Sequence, residues 1–112
     1  MNKSSTRFFS HKQEKQIAKA VGGKLQANSG ATLFSKGDIK TDDWLFEAKT
    51  CMKEQEQFTI KREWLEKLKQ ESFAMHKEYS ALVFNFGPGT HNYYVLDEKI
   101  MKEILNIFQN GF

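Results

Sequence analysis

With 112 residues, 39% of them hydrophobic and 13% aromatic, the chain is expected to form one folded domain over residues 1–112. No apolar run reaches the ~20 residues of a membrane helix, and no apolar segment follows the basic N-terminal residues as in a secretory signal. The single cysteine, Cys51, excludes an internal disulfide or a cysteine-rich zinc site, so a cytoplasmic protein with no membrane partner is expected.

Positive charge is concentrated in the first third of the chain. Residues 1–36 contain seven Lys and Arg residues but one acidic residue, Glu14, whereas the whole chain has a net charge of +3. A basic segment of this kind is typical of proteins that bind a polyanion. A solvated basic helix face would give the same composition, so charge alone leaves both interpretations open.

The N-terminal half predicts one helix followed by three strands. The helix is expected to begin at Ser10 as its N-cap and to stop at Gly22-Gly23. A short strand is predicted at residues 24–27, followed by a turn-rich segment. Residues 38–50 then predict a β-hairpin with Asp42-Asp43 at its apex.

The C-terminal half predicts a helix, two strands and a last helix. Thr59 is the expected cap of the second helix, whose apolar residues fall roughly on one face: Ile60, Trp64, Leu65, Leu68 and Phe73. Two strands are separated by the Gly87-Pro88-Gly89 turn, and Asp97 caps a helix whose apolar stripe is Ile100, Ile104, Ile107 and Phe108. The order α-βββ-α-ββ-α predicts an α/β domain with a central mixed β-sheet flanked by helices.

The strand at residues 44–49 contains the clearest candidate for chemistry. Because side chains alternate along a strand, Glu47 and Lys49 share one face, and antiparallel pairing would bring Asp38 near Lys49 at the same end of the sheet. Two carboxylates and an ammonium group suit metal-assisted hydrolysis of a phosphodiester. A Glu-x-Lys sequence on a strand is, however, more often a solvated ion pair.

Three segments together resemble one nuclease superfamily: Glu14, NSGATLFSKGD at residues 28–38 and FEAKT at residues 46–50. They are similar to the PD-(D/E)XK nucleases, and most closely to archaeal-type Holliday junction resolvases and their small phage-encoded relatives. The resemblance covers about residues 10–70, and Gly37 stands where the superfamily name has proline. It implies a restriction-endonuclease-like fold, a Mg²⁺ cofactor with Mn²⁺ as the alternative, branched DNA as substrate, and a homodimer of bacterial, archaeal or viral origin.

The resemblance also implies roles for individual residues. Asp38 and Glu47 would bind the metal, the backbone carbonyl of Ala48 would add a ligand, and Lys49 would be the catalytic lysine. Glu14 would complete the catalytic set, although a glutamate on a helix can equally pair with a lysine one turn away. The residues predicted to contact DNA, from the basic segment and from the resemblance, are Arg7, Lys24, Ser29, Lys36, Lys53 and Gln57.

These residues predict a Mg²⁺-dependent, structure-selective endonuclease that resolves four-way DNA junctions by in-line attack of water on a phosphodiester. Two alternatives remain at this stage. One is a PD-(D/E)XK nuclease that cuts flaps, nicked duplex or linear duplex. The other is a non-catalytic DNA-binding module that uses the same basic surface.

Overall fold

The computed structural model describes residues 3–25 and 37–111, without the side chains of residues 3–7, 37 and 38. The elements in chain order are α1 (Lys3–Val21), β1 (Lys24–Leu25), β2 (Gly37–Lys40), β3 (Trp44–Lys49), α2 (Arg62–Ala74), β4 (Tyr79–Phe84), β5 (Tyr93–Val95) and α3 (Glu98–Asn110). The predicted α/β class and the order α-βββ-α-ββ-α are confirmed. Of the described helices, none combines the length and the apolar character needed to cross a membrane.

The described strands form one five-stranded sheet in the order β1-β2-β3-β4-β5. The first three strands pair antiparallel, β3 and β4 pair parallel, and β5 returns antiparallel to β4. Two parallel neighbours need a crossover connection, and α2 lies within it. The predicted hairpin turn is confirmed, because the Thr41 N–H donates to the Trp44 carbonyl at 3.0 Å across Asp42 and Asp43.

Helices α1 and α2 cover opposite faces of the sheet. The core on the α1 side consists of Ile17, Ile39, Phe46, Ala81 and Val83. The core on the α2 side consists of Leu45, Leu68 and Leu82. Each Ile, Leu, Val or Phe side chain among them stabilises the fold by roughly 1.5–3 kcal/mol when it is fully buried. Successive residues of β3 therefore serve different cores, as the alternating pattern predicts.

Helix α1 begins earlier than its sequence suggests, so the prediction of Ser10 as N-cap is wrong. A capping serine accepts a hydrogen bond from a backbone N–H of the first turn. The Ser10 hydroxyl instead lies inside the helix and donates to Glu14 Oε2 at 3.0 Å. The predicted end is confirmed: Gly22 has a φ of 70°, a conformation that favours glycine, and the Gly23 N–H closes the helix on the Ala18 carbonyl.

The start of α2 also differs from the prediction. Thr59 does not cap it, because the helix begins at Arg62 after an extended Lys61 whose side chain makes no capping hydrogen bond. Near the C-terminal end of α2, the face that meets the sheet also differs from the prediction. Ser72, one turn after the buried Leu68, faces the sheet, and its hydroxyl donates to the Lys77 carbonyl at 2.8 Å.

The predicted apolar face of α2 is therefore only partly correct. Ile60 and Trp64 pack against the α2-side core, whereas Leu65 lies at its margin and Phe73 is 85% exposed. Residues 68 and 72 are one turn apart and set which face of the helix meets the sheet. Phe73 follows Ser72 directly and so turns away from that face.

The N-terminal end of α3 is the part of this helix that is tied to the rest of the fold. Asp97 is its N-cap as predicted, with Oδ1 accepting from the Ile100 N–H at 3.0 Å, and Ile100 is buried. The Tyr79 hydroxyl donates to Glu103 Oε1 at 2.8 Å, and this bond raises the pKa of Tyr79 to about 12. The later part of the predicted apolar stripe is exposed, most of all Phe108.

Replacement of Asp97 with alanine should lower the free energy of unfolding by about 1 kcal/mol near neutral pH. The hydrogen bond from the Ile100 N–H lowers the pKa of Asp97 from its ordinary 3.8. The stabilisation is thus complete above that ordinary value and is lost as the pH falls through the lower pKa of the folded state. Urea unfolding of wild type and Asp97→Ala at several pH values measures this difference.

Asp97→Asn is the matched control, because an asparagine oxygen caps a helix without titrating. The difference between wild type and Asp97→Asn should shrink in acid, whereas the loss in Asp97→Ala relative to Asp97→Asn should stay constant. A pH-independent difference between wild type and Asp97→Asn would contradict the assigned cap.

Candidate nuclease site on strand β3

An ion pair between a buried carboxylate and a half-buried lysine lies on the α2 side of β3. Glu47 is 4% exposed, and its Oε2 atom lies 3.1 Å from the Nζ atom of Lys49. The two residues are neighbours on one face because they are two positions apart in a strand. The predicted pairing of these side chains is confirmed, and the depth of the carboxylate distinguishes it from a solvated surface pair.

An aromatic ring also contacts the ammonium group of Lys49. The Lys49 ammonium lies 4.3 Å from the centroid of the Trp64 ring. Trp64 belongs to the first turn of α2, the helix that connects the parallel strands β3 and β4. A cation above an indole face is attracted by the negative face of the ring. The sequence pattern predicted Trp64 only as a core residue of α2 and missed this contact.

Asp38 occupies the register position opposite Glu47 in the antiparallel pair of β2 and β3. The backbone thus places residues 38 and 47 on the same face of the sheet. We predicted that Asp38 lies near Lys49, and the register places it opposite Glu47, two positions closer to the hairpin turn than Lys49. The side chain of Asp38 is not among the described ones.

A buried amide network holds the end of β3 from the α1 side. Gln13 is 3% exposed, and its Nε2 atom donates to the Lys49 carbonyl at 3.2 Å and to Asn92 Oδ1 at 3.3 Å. Its Oε1 atom accepts from the Thr50 hydroxyl at 2.9 Å. Asn85 joins the network through its own contact with Asn92. Every polar group of the Gln13 amide is therefore used to connect α1 with this end of the sheet.

Sequence reasoning missed Gln13, although a signal for it exists. Gln13 lies four residues before Ile17 and eight before Val21, on the apolar stripe that packs against the sheet. A polar residue in such a stripe must find buried hydrogen-bond partners. The pattern could therefore have indicated a buried polar contact, but not which strand supplies it.

Glu14 is held within its own helix. Its carboxylate accepts from Ser10 Oγ and lies 4.0 Å from His11 Nδ1, and it pairs with no lysine among the described side chains. Among the described side chains, no hydrogen bond or ion pair joins Glu14 to Glu47 or Lys49. Its predicted catalytic role stays a prediction.

Basic residues lie on several elements of the fold. Helix α1 lies on the face opposite Glu47 and Lys49, so its exposed lysines are separated from the ion pair by the sheet. Lys24 is exposed on β1, and Lys53 and Gln57 are exposed between β3 and α2. The Arg7 side chain, and Ser29 and Lys36 altogether, lie outside the described residues.

The donor atoms on β3 match the chemistry of a hard divalent cation. Mg²⁺ commonly takes one or two protein carboxylates and completes its shell with water and substrate phosphate. Glu47 offers a carboxylate, and Ala48 beside it is half-buried. Among the side chains that the structure describes, which do not include Asp38, no group of three His, Cys, Asp or Glu could hold a metal ion.

Comparison of the chain with protein-family models, with curated proteins and with solved structures finds no match. The likeness to PD-(D/E)XK nucleases therefore stays a resemblance carried by a few residues. The features that bear on function are the geometry around β3 and the charges that surround it.

Replacement of Gln13 with alanine should lower the free energy of unfolding by roughly 1–3 kcal/mol, because buried hydrogen-bonding groups on β3 and near Asn92 lose their partner. Urea unfolding followed by far-UV circular dichroism measures this loss. Gln16→Ala on the same helix is the matched control, since Gln16 is exposed and its loss should change stability by less than about 0.5 kcal/mol. Equal effects of the two substitutions would show that the network does not stabilise the fold.

Proposed function

We propose that this protein is a Mg²⁺-dependent endonuclease of the PD-(D/E)XK type that cuts branched DNA, with four-way junctions as its substrate. The observation that carries the proposal is the ion pair of the buried Glu47 with the half-buried Lys49, with Asp38 at the register position opposite Glu47. Mn²⁺ is the alternative cofactor. The restriction-endonuclease-like fold belongs to the same proposal.

The burial of Glu47 favours a site over an ordinary structural ion pair. Removing a carboxylate from water costs several kcal/mol, and apolar residues of similar volume often stabilise a core as well as a buried ion pair does. Stability alone therefore gives little reason to keep Glu47 at this depth. A role in binding a metal ion would supply such a reason.

The sheet topology agrees with what the resemblance implies. A central mixed sheet lies between helices, and the strand with Glu47 and Lys49 has β2 on one side and β4 on the other. In this arrangement the paired strands fix the backbone on which the proposed site is built. A site on regular strands is held more firmly than one on loops.

The proposed mechanism assigns a separate task to each residue. Glu47 and Asp38 would hold Mg²⁺ together with the carbonyl of Ala48, and the bound ion would polarise the scissile phosphate and lower the pKa of its water. The Lys49 ammonium orients the attacking water and offsets negative charge that develops on the phosphate. Water forms the new bond to phosphorus as the bond to the leaving ester oxygen breaks.

The distribution of positive charge supports a substrate with more than one arm. Lysines that neutralise phosphates bind DNA without sequence readout and lose affinity as salt rises. Exposed lysines of α1 lie on one side of the sheet and Lys53 follows β3 near the proposed site. A single straight duplex lies against one side only, whereas the arms of a junction can reach both.

The apolar residues exposed on α3 support the homodimer that the resemblance implies. Its exposed apolar residues are Met101, Leu105, Ile107 and Phe108. A contiguous apolar surface of this kind marks an interaction site. A symmetric dimer would hold two nuclease sites at a fixed separation, as paired nicking of a junction requires.

Cleavage of a labelled four-way junction and of a linear duplex of the same sequence tests this proposal, with wild type, Glu47→Gln and Lys49→Met in Mg²⁺ or EDTA. We expect paired nicks at the junction by wild type only, and a loss of at least about 100-fold for either variant. Glu54→Gln is the matched control, because Glu54 is an exposed acid near the site and has no assigned role.

The remaining outcomes separate the alternatives. Junction binding without cleavage in Mg²⁺ or Mn²⁺ would leave a DNA-binding module. Equal cutting of junction and linear duplex would keep the nuclease and exclude the junction preference. Cleavage that survives both EDTA and Glu47→Gln would exclude β3 as the site.

A further inference from the structure

We propose that Trp64 is a positioning residue for Lys49, holding its ammonium group beside Glu47 through the face of the indole ring. This inference rests on the proposed nuclease function and adds a residue to its site. Trp64 would not touch the substrate. It would act by restricting where the lysine nitrogen can lie.

Two contacts define the position of the ammonium group. Its nitrogen lies 3.1 Å from Glu47 Oε2 and 4.3 Å from the Trp64 ring centroid. A lysine chain has four rotatable carbon–carbon bonds and loses much rotamer freedom when it is held in one place. The carboxylate alone would let the ammonium swing around one oxygen, whereas the ring closes off the side toward α2.

The ring is itself held in place by the fold. Trp64 packs against the core of Leu45, Leu68 and Leu82, and its backbone N–H donates to the Lys61 carbonyl at 3.0 Å as α2 begins. The Phe58 ring lies 6.2 Å from it, tilted by 46°. A side chain fixed by both packing and backbone is suited to orient a neighbour that is not fixed by itself.

Two helices contact opposite ends of Lys49. Gln13 binds the carbonyl of Lys49 from the α1 side, and Trp64 contacts its ammonium group from the α2 side. The backbone contact sets where the side chain starts, and the ring contact sets where it ends. Preorganisation of this kind lowers the cost of reaching the productive geometry.

A merely structural role for Trp64 makes a different prediction. If the ring only fills space, leucine and phenylalanine should replace it about equally well. If its aromatic face positions Lys49, phenylalanine should preserve function and leucine should not, because a cation is attracted to an aromatic face. The comparison of Trp64→Phe with Trp64→Leu therefore separates the two roles.

Steady-state cleavage of the DNA that wild type cuts best provides the first test. For Trp64→Leu we expect kcat to fall by roughly fivefold to tenfold with KM nearly unchanged, which corresponds to the loss of one cation–π contact. Trp64→Phe should recover most of kcat. Trp44→Leu is the matched control: Trp44 stacks on Phe46 on the other side of the sheet, and its loss should leave kcat unchanged below the unfolding transition.

A second readout does not depend on cleavage. Methylene protons of a lysine above an indole ring move upfield in an NMR spectrum, so the Lys49 Hε resonance should be shifted in wild type, less in Trp64→Phe and not in Trp64→Leu. Unchanged kcat in Trp64→Leu, or equal losses in Trp64→Leu and Trp64→Phe, would overturn the positioning role. An upfield Lys49 resonance in a protein that cleaves no DNA would overturn the nuclease function, and the role of Trp64 in it, while leaving the contact itself established.

Discussion

The two-residue period of β3 is the constraint on which this structure depends. The strand lies between β2 and β4 and beneath a helix on each face, so every residue of it has an assigned environment. A slip of one residue would drive Glu47 into the apolar core under α1 and turn Phe46 toward α2. Because that exchange would move both charges of the ion pair among apolar side chains, the ion pair and the two cores specify the same register. The geometry of the site and the stability of the sheet therefore have one origin.

Local signals explain the parts of the fold that could be predicted from the sequence. Glycines at the end of α1, the two aspartates in the hairpin turn and Asp97 before α3 each act through their own backbone neighbourhood, and each was read correctly. Ser10 and Thr59 carry the same kind of signal but do not cap a helix. Residues before Ser10 continue the helix, and the backbone is still extended at Lys61, after which α2 begins.

The site could be predicted only in part, for a related reason. Glu47 and Lys49 lie on one strand, so their proximity follows from alternation alone. Gln13 contacts Lys49 across 36 positions of sequence. Trp64 contacts it because the chain turns back after β3 and places α2 on this face of the sheet. Such contacts depend on which helix covers which face of the sheet, and a single sequence does not reveal that arrangement. The same limit applies to the basic residues of α1, which the sheet separates from the ion pair.

The crossover has a kinetic consequence as well. The β2–β3 hairpin closes through a short turn, so its formation is local and fast, whereas the parallel pairing of β3 with β4 must wait until the intervening helix is in place. Glu47 and Lys49 thus belong to the hairpin that forms early, whereas Trp64 belongs to the crossover that forms later. A chain that stops at the hairpin would display these two side chains to solvent on a strand with an open edge. Completion of the sheet is therefore also the step that removes this edge from contact with other chains.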